Sequence, residues 1–118
     1  MNFHDSLKTK MHEYVKGVYR ITKNFPKDEL YGIISQFRRA ALSVILNYIE
    51  GYARLNFKNE KVYKNFLETS YGSLKESKYL LYFSYSENYS GKDDYLKLIS
   101  LAEEIGKMPW KTLEGLNK

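Results

Sequence analysis

The sequence predicts an all-α protein, an antiparallel up-down-up-down four-helix bundle that forms a single domain over residues 1–118. Apolar residues recur at steps of three and four along most of the chain, which is the period of an amphipathic helix. No segment sustains the alternation of a strand, and only two prolines and seven glycines interrupt 118 residues. Four amphipathic helices with short links bury their apolar stripes most simply against one another.

The first two helices are predicted over Asp5–Lys23 and Asp28–Arg54. Pro26 separates them, because a proline pushes the residue before it out of the helical region. Acids in the first turn of the second helix complement its dipole, and Gly51 is a weak stop signal near its end. The two apolar stripes consist of Leu7, Met11, Tyr14, Val15, Val18 and Thr22, and of Leu30, Ile33, Ile34, Phe37, Ala41, Val44, Tyr48 and Tyr52.

The third and fourth helices are predicted over Asn59–Tyr85 and Asp93–Leu116, with a loop at Glu87–Lys92 between them. Pro109 lies inside the fourth helix, where it removes a hydrogen bond, so we expect a kink or a break near Met108. The residues expected on the buried faces are Val62, Phe66, Leu67, Leu74, Leu81 and Tyr82, and then Leu98, Ile99, Ala102, Ile105 and Leu113.

The segment Ala40–Ile49 is the most informative part of the chain. Eight of its ten residues are apolar, and they point all round the helix. A helix of this kind is buried on all sides, whereas three neighbours in a bundle cover only part of it. The uncovered part requires another protein surface, and copies of the same chain are its commonest source. We therefore predict a homo-oligomer, with Leu42 and Leu46 at the interface between copies.

A polar line runs along the second helix between these apolar residues. Its members are spaced three or four apart and so lie one above another. Three interpretations remain open: a solvated strip, a hydrogen-bonded seam that fixes bundle or subunit packing, or a ligand-binding or catalytic strip. Arginine and glutamate in a buried seam must be paired, and Glu68 and Glu76 of the third helix are candidate partners for Arg38 or Arg39. The line consists of Gln36, Arg39, Ser43, Asn47, Glu50 and Arg54.

Composition and charge restrict the function. The chain has no cysteine, which excludes disulfides, thiolate metal sites and a cysteine nucleophile. The N-terminus has no signal-peptide pattern, and ten uncharged residues cannot span a membrane, so we expect a cytoplasmic protein without a membrane partner. The net charge is +5, with +6 on residues 1–86 and −1 on residues 87–118. A basic region of this kind suits an anionic partner such as RNA or DNA, or is merely a soluble lysine-rich surface.

No catalytic or cofactor pattern is present, and the chain is predicted not to be an enzyme. His4 and His12 are the only histidines, and neither stands in a Glu-x-x-His pattern, so we expect no metal. Glycine-rich phosphate loops are absent and no cofactor is implied. The tyrosines at 79, 82, 85 and 89 could stack on bases, although such a series more often belongs to a core and its loop.

A set of short motifs lies around the second helix and in the third. They are Phe25–Pro26, Glu29–Gly32, Ser35–Ala41, Ser43, Asn47, Glu50–Gly51 and Arg54, and then Phe66–Glu68 and Gly72–Glu76. These motifs resemble the four-helix-bundle family associated with intervening sequences of bacterial 23S ribosomal RNA. The same group includes the accessory variability protein of diversity-generating retroelements. The similarity covers roughly residues 3–108.

The resemblance implies a ring-like homopentamer and a role in binding RNA or another nucleic acid. As an alternative, it implies a protein-binding hub, for example an accessory subunit of a reverse transcriptase. Together with the basic balance of residues 1–86, it identifies six candidate nucleic-acid-binding residues. Two of them, Arg38 and Arg39, could equally be structural ion-pair partners. The six are Arg38, Arg39, Arg54, Lys58, Lys61 and Lys64.

Overall fold

The computed structural model describes residues 2–55 and 57–116, with side chains through Met108. Four helices and no strand occur in this part of the chain, which confirms the all-α prediction. Asn2 caps the first helix by accepting a hydrogen bond from the Asp5 N–H, and Asn59 caps the third by accepting one from Val62. The helices are α1 (Phe3–Thr22), α2 (Ser35–Leu55), α3 (Glu60–Ser86) and α4 (Lys92–Leu116).

Contacts between helix ends show how the four helices run. His4, at the start of α1, bonds to Tyr48 near the end of α2, whereas Thr22 at the end of α1 bonds to Arg38 near the start of α2. The same reversal relates α2 to α3, α3 to α4, and α4 to α1. Each neighbouring pair is therefore antiparallel, and all four helices contribute side chains to one apolar core. The other pairs of contacts are Arg39–Glu76 with Gly51–Phe66, Lys78–Glu103 with Tyr85–Tyr95, and Lys10–Glu104 with Arg20–Asp94.

The predicted second helix is wrong at its start, because it does not begin as a regular α-helix. A 3₁₀ turn covers Lys27–Glu29 and a π-type turn covers Leu30–Ile34, before α2 begins at Ser35. Gly32 inside the π-type turn has φ −106° and ψ −112°, which is outside the helical region. A glycine accepts this conformation at low cost because it has no Cβ. The bend turns Leu30 and Tyr31 outward, with 48% and 93% of their surfaces exposed.

The buried face of α3 also differs from its prediction. Tyr82 is 55% exposed, and three serines occupy the core in its place. The buried positions alternate in steps of four and three, which is the heptad pattern of closely packed antiparallel helices. Sequence analysis missed the serines because a hydroxyl is normally counted as polar. The buried residues are Tyr63, Leu67, Ser70, Leu74, Ser77, Leu81 and Ser84.

Two signals that can interrupt a helix do not end the helices in which they lie. Gly51 is not a stop signal, because it is buried within α2 where that helix meets α3. A Cβ added to Gly51 would lie 2.6 Å from the Phe66 Cβ, so only glycine permits this approach. Helical backbone also continues through Pro109 to Leu116, so of the kink and the break expected near Met108, the break does not occur. A proline removes one backbone hydrogen bond, and the helix persists on both sides of it. The Leu113 side chain, predicted on the buried stripe, lies outside the described residues.

Candidate functional site

The second helix has one side in the core and one side that the bundle leaves uncovered. Phe37, Val44 and Tyr48 are at most 1% exposed and pack inside the bundle. On the outer side, Leu46 is 58% exposed and Ile49 is 46% exposed. Exposed apolar residues that follow one another along a helix are typical of an interaction surface rather than of a solvated face.

A groove of about 640 Å³ lies against this outer side of α2. The outward-turned Leu30 and Tyr31 form part of its wall, and Leu42 and Leu46 form another part. Polar groups of the α2 line and two arginines complete it. The lining residues are Tyr19, Leu30, Tyr31, Ile34, Ser35, Arg38, Arg39, Leu42, Ser43, Leu46 and Asn47.

The middle of the polar line is hydrogen-bonded to α3. The hydroxyl oxygens of Ser43 on α2 and Ser73 on α3 lie 2.7 Å apart and are hydrogen-bonded. Asn47 donates to both the carbonyl and the hydroxyl oxygen of Ser43, each at 2.8 Å. Asn47 therefore bonds backward to Ser43, whereas the spacing also allowed a bond to Glu50. This part of the line joins two helices of one chain.

Ion pairs flank this hydrogen-bonded centre and stay close to solvent. Arg39 donates to Glu76 at 2.9 Å, and Arg54 donates to Glu50 at 2.6 Å. The Arg39 and Arg54 side chains are 62% and 41% exposed. Exposed pairs of this kind contribute up to about 1 kcal/mol each. Gln36, the first residue of the line, is also exposed, so the line is a seam at its centre and a solvated strip at its ends.

The six basic candidates do not form one patch. Arg38 and Arg39 lie near the start of α2, while Arg54 lies near its end, about 24 Å away by the rise of the helix. Lys58 and Lys61 are exposed beside Arg54 at the α2–α3 turn, and Lys64 is half-buried on the next turn of α3. Phe57 lies in the same turn and is 79% exposed. We call Arg54, Phe57, Lys58, Lys61 and Lys64 the basic turn.

Arg38 has a different environment from the other basic candidates. Its Nε donates to the Thr22 hydroxyl at 2.8 Å, and its guanidinium carbon lies 4.6 Å from the centre of the Tyr19 ring. Both contacts belong to α1. Arg38 is thus held between two helices without a carboxylate partner in the described part of the chain.

An aromatic cluster that the sequence analysis did not find lies at the opposite end of α1. The His4 ring stacks on Tyr52 with 3.5 Å between ring centres, and its Nδ1 lies 2.7 Å from the Tyr48 hydroxyl. Burial lowers the pKa of His4 and raises that of Tyr48, and nearby Lys8 lowers the His4 pKa further. In the tautomer that carries its proton on Nε2, neutral His4 accepts a hydrogen bond from the Tyr48 hydroxyl at Nδ1. The sequence signal that could have revealed this cluster is the position of His4, which lies three residues before Leu7 and so on the buried stripe of α1.

The described residues contain no group of three or more histidine, aspartate or glutamate side chains that could hold a metal ion. None of the helices, over those same residues, is long and apolar enough to cross a bilayer.

The tyrosine series of α3 divides between environments: Tyr79 and Tyr82 are exposed, whereas Tyr85 stacks on Tyr95 of α4.

Comparisons with known proteins agree with this architecture. Residues 6–111 match the family described as 23S rRNA-intervening sequence protein. Among solved structures, the chain is similar to a protein of unknown function from the S23 ribosomal protein family of Bacteroides thetaiotaomicron VPI-5482. The two are 17% identical with a TM-score of 0.83, over 96% of this chain and 99% of that one, so this likeness concerns the fold alone. No curated protein matches the chain.

Proposed function

The chain belongs to the 23S rRNA-intervening sequence protein family, and on that premise we propose that it is a non-enzymatic, homo-oligomeric module that binds RNA. The observation that carries the proposal is the separation of two surfaces on α2. An uncovered apolar face lies along the helix, and a basic turn lies at its end. The first suits contact with other copies of the chain, and the second suits an anionic polymer.

Self-association is supported by the residues that the bundle leaves uncovered. Leu46 and Ile49 of α2, and Tyr31 of the π-type turn before it, expose much of their surface. Burying such side chains stabilises an assembly by about 25 cal/mol for each Å² of apolar surface removed from water. The proposed number of copies, five, rests on the family resemblance.

RNA binding is supported by the composition of the basic turn. Residues 50–64 contain four Lys and Arg and two Glu, which leaves two net positive charges. The exposed Phe57 ring stands among these cations. Cations that follow a phosphate backbone, beside an aromatic ring on which a base can stack, are typical of surfaces that bind single strands.

The RNA surface that we propose is narrower than the six basic candidates. Ion pairing does not separate the arginines, because Arg39 pairs with Glu76 and Arg54 pairs with Glu50. Their positions along α2 do. Arg38 lies with Arg39 at the other end of α2. The proposed RNA-binding residues are therefore Arg54, Lys58, Lys61 and Lys64, with Phe57 as a stacking platform.

The test is binding of a fluorescent single-stranded RNA, measured by anisotropy over a range of salt concentrations. Contact with phosphates releases counterions, so the affinity should fall steeply as salt rises. Changing Lys58, Lys61 and Lys64 together to Gln should weaken binding and reduce the slope of log affinity against log salt by about 2.

A second variant matches the first in charge. It carries Gln at Lys92, Lys97 and Lys107, which are exposed on α4. This variant should retain most of the affinity. Equal losses of RNA affinity in both variants would mean that binding depends on overall charge rather than on the basic turn. No binding at low salt would refute an RNA-binding role.

The groove on α2 also favours a second candidate, a hub that binds a different protein, such as a reverse transcriptase. Its apolar walls and its two arginines suit an amphipathic segment with acidic residues. The mass in solution separates the two candidates. A monomer at micromolar concentration would leave the face free for a different protein, whereas a stable oligomer would cover it with copies of the chain.

A further inference from the structure

Arg38 is the one arginine without a carboxylate partner in residues 2–55 and 57–116. The chain has four arginines. Arg20 pairs with Asp94, Arg39 with Glu76 and Arg54 with Glu50, all within 3.1 Å. A half-buried guanidinium is normally paired, because removing it from water without a partner is costly. Arg38 is thus a cation whose charge the fold does not neutralise.

The Arg38 side chain is nevertheless held in place. Its Nε is fixed by the Thr22 hydroxyl, which is buried and donates in turn to the carbonyl oxygen of Val18 at 2.8 Å. The Tyr19 ring packs against the guanidinium. Neither contact uses the two terminal nitrogens of Arg38, which remain available as hydrogen-bond donors. An oriented pair of N–H donors is the geometry with which arginine binds phosphate and carboxylate groups.

Arg38 lines a second hollow, of about 260 Å³, beside the larger groove. Lys23 and Lys27 also line it, and neither has an ion pair among the described residues. The hollow therefore has three cations and no carboxylate in its lining, although Asp28 and Glu29 follow Lys27 in sequence. The lining residues are Thr22, Lys23, Phe25, Lys27, Leu30, Ile34 and Arg38. We call this hollow the cationic pocket.

The remaining wall of the cationic pocket is apolar. Phe25, Leu30 and Ile34 form it, and Leu30 and Ile34 are shared with the larger groove. Leu30 and Ile34 are the ends of the π-type turn, a type of turn that often occurs at functional sites. A ligand that fits this pocket combines an anionic group at the cations with an apolar or aromatic body on the wall.

We propose that the cationic pocket binds a phosphate monoester, with Arg38 as the main ligand of the phosphate and Lys23 and Lys27 as supporting cations. Three cations suit a group of charge near −2, which a phosphate monoester carries at neutral pH and a phosphodiester does not. Two sources supply this chemistry, a free nucleotide and the phosphorylated 5′ end of an RNA strand. In either case the organic part of the ligand lies against Phe25 and Leu30.

This site is distinct from the proposed RNA surface. The cationic pocket lies where α1 ends and α2 begins, and the basic turn lies at the other end of α2. Either site can exist without the other. Substitutions in one should therefore leave binding at the other intact, and the two proposals can fail separately.

The test uses three probes with the full chain: adenosine monophosphate, a short RNA with a 5′ phosphate, and the same RNA with a 5′ hydroxyl. Calorimetry measures the first, and anisotropy compares the two strands. We expect the phosphorylated strand to bind roughly tenfold more tightly than the hydroxyl strand, because its phosphate adds hydrogen bonds to a charged group. Direct binding of the nucleotide would support the proposal as well. Tighter binding of the phosphorylated strand than of the hydroxyl strand identifies a strand end as the source, and binding of the nucleotide without that preference identifies a free nucleotide.

Arg38→Gln should abolish the preference for phosphate. The matched control is Arg20→Gln, which removes an exposed, ion-paired arginine of α1 and should keep the preference. Should Arg38→Gln fail to fold, Lys23→Gln with Lys27→Gln changes only exposed side chains and should lower the preference several-fold. The proposal is wrong if the nucleotide does not bind and the two strands bind equally, or if neither pocket variant changes the preference.

Discussion

At the scale of single residues, the core of this bundle depends on polar groups that satisfy one another. The Tyr14 hydroxyl lies 2.8 Å from the Ser77 hydroxyl, and both residues are fully buried. Ser77 also donates to the Leu74 carbonyl at 2.8 Å, so Tyr14 is the donor in the Tyr14–Ser77 bond. Burial raises the pKa of Tyr14 to about 12, which keeps its hydroxyl protonated as a donor.

The directions of these bonds predict unequal costs for removing the two partners. Ser77→Ala leaves the Tyr14 hydroxyl buried without an acceptor and should lower the free energy of unfolding by about 1–3 kcal/mol. Tyr14→Phe leaves Ser77 bonded to Leu74 and should cost less, about 0.5–1.5 kcal/mol. Urea unfolding followed by circular dichroism measures both.

The double variant provides the control for this pair. With both hydroxyls removed, no buried group is left unsatisfied, so the loss should be smaller than the sum of the two single losses. Strictly additive losses, or a larger cost for Tyr14→Phe, would show that the bond runs in the opposite direction or contributes little.

At the scale of elements, the most extensive contact between helices in the described residues joins α2 to α3. Small residues of the two helices meet along this contact: Ser70 donates to the Val44 carbonyl at 2.6 Å, and Gly51 lies against Phe66. This approach buries one side of α2 deeply against α3. The outer side of α2 remains uncovered, because only α1 and α3 flank α2 in the bundle. The remaining helix, α4, lies diagonally across the core and cannot cover that side.

A pair of glycine substitutions tests the importance of this approach. Gly51→Ala places a methyl group against Phe66 and should lower the free energy of unfolding by about 1–3 kcal/mol. Gly72→Ala is the matched control, since no atom lies within 4 Å of its added Cβ. Gly72→Ala should raise the free energy of unfolding by about 0.5–1 kcal/mol, because alanine favours helices over glycine. Chemical unfolding measures both, and a neutral or stabilising Gly51→Ala would contradict the close approach.

At the scale of the whole molecule, the bundle leaves outside its core the three surfaces for which we propose functions. The apolar side of α2 runs between the cationic pocket at one end and the basic turn at the other. In an assembly built on that apolar side, both cationic sites would lie beside the contact between copies. Several copies would then present several anion sites to one ligand, which raises the total affinity without new contacts.

The assembly predicts a mass in solution several times the 14.0 kDa of one chain. Leu46→Glu should lower that mass, because a charge in an apolar contact is costly, and should leave the helical content unchanged. Light scattering measures the mass and circular dichroism the helicity. Leu96→Glu is the control, since Leu96 is 48% exposed on α4, and this variant should assemble normally.

A wild-type monomer at micromolar concentration would refute self-association. An unchanged mass for Leu46→Glu would move the contact to another face. Unfolding of Leu46→Glu is not expected, because Leu46 is more than half exposed in the single chain.

The sequence by itself determined the four helices, because their periodicity is local and depends only on apolar residues three and four apart. It also identified the polar line of α2 and Glu76 as a possible partner of Arg39. The sequence did not predict the serine core of α3 or the role of Gly51. Only the tertiary structure decided these, since a small residue becomes valuable when a second helix approaches it.

The tertiary structure also separated the basic residues into groups. Along the chain, Arg38 and Arg39 are neighbours with the same charge, and periodicity cannot distinguish them. In the fold, a helix turns consecutive side chains by about 100°, so Arg39 reaches Glu76 of α3 while Arg38 reaches Thr22 and Tyr19 of α1. One arginine is neutralised and the other remains available, because a charge acquires its role from the helix that it faces.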